Sequence, residues 1–172
     1  MTIQTEQALA LPAPQKARWS LLRAGIQNVW EYDDRRFVFE HGRLLLRGQN
    51  EAGKTKALEL LFPFLLDADL RPERLDPFGH TARAMRWNLI NDADPASLLR
   101  VGYLWLELGR HAGEGGLAHD EFCTLGAGLK ARRGSTEVDA WFFVTSRRPD
   151  LDLALVEGSD RRPLTRAALA EG

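Results

Sequence analysis

The chain has 172 residues, enough for one domain with its own core. Hydrophobic residues make up 44% and charged residues 27%, and the net charge is -1. These values are ordinary for a soluble globular protein, and the charge balance gives no basic excess to argue for nucleic acid or an anionic membrane. Cys123 is the single cysteine, so no intramolecular disulfide can form and a reducing compartment is expected. The N-terminus lacks a basic region followed by an apolar core, so it does not read as a signal peptide. No stretch reaches the roughly 18 apolar residues of a membrane span. A cytoplasmic protein is expected.

Residues 1–15, interrupted by Pro12 and Pro14, read as a flexible tail, with order starting near Arg18. A first strand follows from Trp19 toward Ile26, and alternation over 36–40 predicts a second. His41-Gly42 is a tight-turn pair. The apolar run 43–47 (Arg-Leu-Leu-Leu-Arg) reads as a short buried strand emptying into Gly48. Beyond the next glycine, Ala57, Leu58, Leu61, Phe62 and Leu65 recur at helical spacing, and Pro63 is expected to kink or end that helix. Residues 67–98, rich in proline and charge, read as an irregular excursion with one short helix. Strands are predicted over 101–108, 122–131 and 138–145, with a further candidate at 151–156 and a turn at 109–116. Residues 163–170 read as a helix capped by Thr165. So many strands do not suit a plain doubly wound fold, and an antiparallel β layer beside an α/β core fits better.

The chemistry concentrates between the run 43–47 and the first helix. Gly48-Gln49-Asn50-Glu51-Ala52-Gly53-Lys54-Thr55 matches G-x-x-x-x-G-K-[ST], the phosphate-binding loop motif, in full. The two glycines permit backbone angles that turn successive N–H groups inward around a phosphate, and a helix starting near Lys54 adds its N-terminal donors. Lys54 supplies a compact ammonium for the β- and γ-phosphates, and Thr55 a hydroxyl for Mg²⁺. Lysine occurs only at positions 16, 54, 56 and 130, so an arginine-rich chain places two lysines, Lys54 and Lys56, in or beside this loop. The expected ligands are therefore ATP and Mg²⁺, with residues 48–56 as their contacts and Thr55 on the metal.

A phosphate-loop hydrolase also needs a carboxylate at the end of a second apolar strand. Glu107 is the one superficial candidate, and its bland reading is a charge at a strand edge. Glu114-Gly115-Gly116 reads as a loop rather than a signature motif. No catalytic acid is assigned, and the chain reads as half of a catalytic unit.

The residues 43–55, followed by Ala57-Leu-Glu-Leu-Leu61, resemble the N-terminal head segment of SMC-like and RecF/SbcC-like ABC ATPases. Asn50 belongs to the look of that subgroup, and 24–30 (Ala-Gly-Ile-Gln-Asn-Val-Trp) looks like its first strand and turn. More narrowly, 70–79, 85–89 and 100–107 look like a bacterial SMC-like family of condensin-like, Wadjet-type plasmid-defence systems. The resemblance implies an α/β fold: a partial P-loop NTPase, the N-terminal lobe of an ABC/SMC head over 16–172, with an antiparallel β layer and few helices. It further implies a coiled coil and a C-terminal lobe outside this chain, a second head across the nucleotide, and DNA reached through the full complex in maintenance, repair or defence. The chain departs from such a family by stopping at Gly172, which is expected of a truncated product or excised fragment. The resemblance puts Asn28 and Trp30 where the first turn approaches the nucleotide, while Trp30 is equally readable as core. Gln49 and Glu51 replace commoner small residues, so Glu51 is expected to point away from phosphate.

Other signals have blander readings. His111, His119 and Cys123 match no zinc-ligand spacing. The arginine pairs at 132–133, 147–148 and 161–162, interspersed with acids, read as a solvated face. Trp87 and Trp105 read as core, and Asp67, Asp69 and Asp76 as loop or capping residues. Two alternatives stay open: a self-contained small P-loop kinase using Glu107 or Asp76, and a non-catalytic fragment with a vestigial loop.

Overall fold

A computed structural model describes residues 11–47, 53–71, 74, 85–91, 97–113, 119–158 and 160–171. The fold is mixed α/β, mostly antiparallel sheet with few helices. Its strands are β1 (Ser20–Val29), β2 (Tyr32–Val38), β3 (Leu99–Arg110), β4 (Glu121–Arg132) and β5 (Val138–Thr145), in the order β2-β1-β3-β4-β5. Every neighbouring pair in this sheet is antiparallel. A second, two-stranded sheet joins β6 (Val156–Glu157) to β7 (Arg162–Pro163). Two α-helices are described, α1 (Lys54–Asp67) and α2 (Arg166–Glu171), with a 3₁₀ turn at Met85–Asn88.

Alternation assigns each strand residue to one of two faces. On one face Ala24, Ile26, Leu104, Leu106, Ala127, Leu129 and Ala131 bury themselves against Ala57, Leu60 and Leu61 of α1 and against Met85, Leu89 and Ile90. Ala57, Leu60 and Leu61 stand at the i, i+3, i+4 spacing of one helix face, and each buried leucine contributes roughly 1.5–3 kcal/mol. The opposite face carries Tyr103, Trp105 and Trp141, covered by Leu153 and Leu155 from the chain after β5 and by Leu169 of α2. The sheet is thus a middle layer between one helix and an irregular C-terminal layer.

Large rings fit on that second face because glycines face them across the strands. Gly25 is paired with Trp105, Gly126 with both Trp105 and Phe143, and Gly128 with both Tyr103 and Trp141. A Cβ on Gly25 would stand 2.1 Å from Trp105 Cε2, and one on Gly128 2.0 Å from Trp141 Cε2. Gly25→Ala is therefore expected to lift a fully buried tryptophan and to destabilise the chain by about 1–3 kcal/mol. An unchanged midpoint in urea unfolding would show instead that the ring has room to move. Tyr103 donates to the Leu164 carbonyl at 2.6 Å, and burial pushes its phenol up to about 12.

The predicted strands over 101–108, 122–131 and 138–145 are present, each a residue or more longer or equal in extent, and β3 extends through Gly109 and Arg110, which were expected in a turn. Thr165 caps α2 as expected, accepting from the Ala168 N–H at 3.4 Å. His41 and Gly42, both at positive φ, form the tight turn closed by the Glu40–Arg43 bridge.

Six expectations need correction. The second strand is Tyr32–Val38 rather than 36–40, because it pairs directly off the turn at Trp30 and Glu31. Residues 44–47 are not a strand: only Arg43 forms a bridge, and Leu45 is 72% exposed. Nothing among the described residues offers that run a neighbouring strand. Pro63 does not end α1, which runs on to Asp67, since the buried face at Ala57, Leu60 and Leu61 holds the helix despite one lost backbone donor. The candidate strand at 151–156 shrinks to the pair Val156–Glu157, because Leu153 and Leu155 turn their side chains onto the sheet instead. Trp87 is 58% exposed rather than core, whereas Trp105 is fully buried as expected. The expected tail reaches ordered structure before Arg18, since the Pro12 carbonyl accepts from Arg148 at 2.7 Å. Asp69 does act as a loop residue, accepting from the Arg71 backbone at 2.9 Å, while Asp76 lies outside the described residues.

Candidate phosphate-binding site

Gly48, Gln49, Asn50, Glu51 and Ala52 lie outside the described residues, as do Glu114, Gly115 and Gly116. Gly53, Lys54, Thr55 and Lys56 are described, and they form the entry to α1. Gly53 has φ +79°, a left-handed angle that favours glycine. Its carbonyl accepts the first intrahelical bond from the Ala57 N–H at 2.9 Å, and a second bond from the Tyr32 hydroxyl at 2.7 Å. The glycine is also enclosed: a Cβ there would lie 2.5 Å from Tyr32 Oη and 2.8 Å from Trp30 Cζ3. Trp30 and Tyr32 pack edge-to-face, with ring centroids 5.2 Å apart. The turn between β1 and β2 thereby fixes where the helix starts.

Thr55 is exposed at this helix start, Lys54 is half-buried, and the first turn of α1 contains no acidic residue. A helix start with no carboxylate in its first turn favours an anion through its N–H groups and its dipole. Lys56 has a different partner: its ammonium lies 2.8 Å from Glu59, one turn along the helix. The fit to phosphate therefore rests on Gly53, Lys54 and Thr55.

Tyr32 is the residue here that motif reading misses. Burial raises its phenol above the usual value, with Arg35 acting the other way. The sign follows directly. A raised folded-state value means the bond to Gly53 contributes in full below about pH 10 and fades as pH rises through the raised value. Tyr32→Phe is expected to cost about 0.5–1.5 kcal/mol near neutrality. The gap between wild type and variant in urea unfolding should narrow above pH 10; a gap constant with pH would contradict this role.

Asn28 is otherwise engaged: its amide donates to the Val101 carbonyl at 2.6 Å and accepts from Arg100 at 2.9 Å. Of the pair expected at the first turn, Trp30 stands beside Gly53 and Asn28 ties β1 to β3.

Glu107 is not a strand-edge charge. It sits on the central strand, 0% exposed, with Arg23 Nε 2.5 Å from one carboxylate oxygen and Arg148 Nε 2.6 Å from the other. Arg23 also donates to the Pro149 carbonyl at 2.7 Å and reaches Asp150 at 3.2 Å, and Arg36 holds Asp150 at 2.9 Å. Hydrogen bonding from Arg36 keeps the Asp150 carboxyl below its ordinary range against the opposing effect of burial. Arg148 therefore leaves the solvated face expected for the arginine pairs and serves a buried network. Arg161 and Arg162 do stay at the surface, pairing with Asp34 and Asp160. His111 stands 2.8 Å from Asp120.

No helix among the described residues is long and apolar enough to cross a membrane. Comparison with protein-family models, curated proteins and solved structures gives no significant match.

Proposed function

We propose that this chain is the ATP-binding N-terminal lobe of an SMC-like ABC ATPase, acting in the cytoplasm in DNA handling such as chromosome or plasmid maintenance, repair or defence. The observation that carries the reading is Gly53: a left-handed glycine clamped by Trp30 and Tyr32 at the head of a 14-residue helix, within a full phosphate-loop motif. In this reading the loop amides of 48–53 cradle the β-phosphate and Lys54 neutralises phosphate charge. Thr55 offers its hydroxyl to Mg²⁺, which polarises the phosphates when bound.

Two features favour a half-site over a self-contained enzyme. The sole strand carboxylate expected to serve as an acid, Glu107, has both oxygens committed to arginines. The run 43–47 ahead of the loop lacks a neighbouring strand among the described residues, as expected if a second lobe supplies one. Hydrolysis would then require that lobe and a second head.

Calorimetric titration with Mg-ATP tests the reading. The expected result is weak, saturable binding with negligible turnover. Vigorous hydrolysis abolished by Lys54→Ala would overturn the half-site reading. Undetectable binding at millimolar ATP would overturn phosphate binding altogether and leave a non-catalytic fragment.

A further inference from the structure

The central sheet has two rims, and they are built differently. At one rim β2 carries Asp33, Asp34, Arg35 and Arg36, with Asp34 and Arg36 held in ion pairs with Arg161 and Asp150. Charges along an exposed strand are a usual protection against pairing with another chain. At the other rim β5 reads Val-Asp-Ala-Trp-Phe-Phe-Val-Thr, with no proline, lysine or bulge. Among the described residues no strand pairs with its outer edge. Trp141 is buried on the C-terminal face, but on the helix face Phe142 and Val144 are 50% and 71% exposed. The core cluster under α1 includes Ala127, Leu129 and Ala131 of β4, and Val138 and Ala140 of β5 pack against it, while Phe142 and Val144 lie outside it. A strand whose one charge, Asp139, lies near its start and whose second half exposes an aromatic is a template for a further strand.

The charges at the two ends of β5 select the partner. Glu137 and Asp139 are exposed at its start, and Arg147 is exposed just past its end. In an antiparallel pairing of two copies about Phe142, residue i meets residue 284 − i, since 142 + 142 = 284. Phe142 then meets Phe142 of the second copy, Ala140 meets Val144, Trp141 meets Phe143, and Glu137 meets Arg147. Each end places an acid opposite a base, and the exposed Phe142 and Val144 fall inside the joint. A two-fold axis normal to the sheet keeps α1 of both copies on the same side, so neither helix obstructs the pairing.

We propose that β5 is a self-association edge, joining two copies of this chain antiparallel about Phe142 into one continuous sheet. The edge strand is self-complementary in its residue pattern and in its end charges, the property a two-fold interface requires. The inference is independent of nucleotide binding.

Sedimentation velocity on the 172-residue chain tests it, over a concentration range of about 1–200 µM. A concentration-dependent monomer–dimer equilibrium is expected. Val144→Lys puts a charge on an exposed position, so circular dichroism should report an unchanged fold while the dimer weakens by at least about tenfold. Glu137→Arg and Arg147→Glu should each weaken it by roughly two- to fivefold, and the double exchange should restore it. Hydrogen exchange should show the outward amides of β5 gaining protection as concentration rises. A chain that stays monomeric throughout overturns the proposal and leaves the edge to a different protein. A dimer indifferent to Val144→Lys also overturns it, and one that dissolves in Val144→Lys but ignores both charge reversals overturns the register.

Discussion

Glu107→Gln is expected to remove about 3–5 kcal/mol of stability, because it takes away the buried carboxylate charge that Arg23 and Arg148 share. Arg23 is 4% exposed and Arg148 reaches the same carboxylate from the far end of the chain. Arg23 would keep Asp150 and the Pro149 carbonyl as partners, and Arg148 the Pro12 carbonyl. A neutral amide keeps the shape and loses the charge, so the variant isolates the electrostatic effect from cavity formation. Chemical denaturation monitored by Trp105 and Trp141 fluorescence would measure it. The companion variant Arg23→Met/Glu107→Leu/Arg148→Met should recover much of the loss, since removing all three members of a buried charge triad is far milder than removing one. A loss below about 1 kcal/mol for Glu107→Gln would show that water reaches the network and screens it.

Lys54→Ala is expected to weaken Mg-ATP binding by roughly 30- to 100-fold, the equivalent of losing a charge-assisted contact of about 2–3 kcal/mol. The substitution lies in the first turn of α1, where alanine is a good helix former, so the fold should be unchanged. Calorimetry at low ionic strength gives the largest window, because the contact is partly screened by salt. Lys56→Ala is the internal control: Lys56 is paired with Glu59, so its loss should cost less than threefold, or about half a kilocalorie. Equal losses for the two lysines would point to general electrostatic attraction rather than a seated phosphate.

How much of this was legible in the sequence depends on the range of the interaction. Strands β3, β4 and β5 were readable because alternation is a local property and each strand packs one or both faces. The Thr165 cap was readable for the same reason, since donor and acceptor lie three residues apart. The run 43–47 was misread because three consecutive leucines look alike whether a strand has neighbours or lacks them. Gly53, Lys54 and Thr55 were legible as a motif, but Tyr32 was not: it reaches Gly53 across 21 residues of chain, through a turn whose geometry no spacing rule encodes. The same limit hid the Glu107 network, whose partners are 84 and 41 residues away. Only the register of β1 on β3 places Arg23 opposite Glu107. Local patterns gave the parts of this chain, and cross-strand register decided which charges meet.

The contrast between the two rims also limits how far a sheet joined edge to edge can grow. With salt-bridged β2 closing one side, a sheet that grows through β5 reaches a terminus on both flanks once two chains have met. A third chain approaching through the sheet would meet the charged β2 border, so edge-to-edge growth stops at two chains.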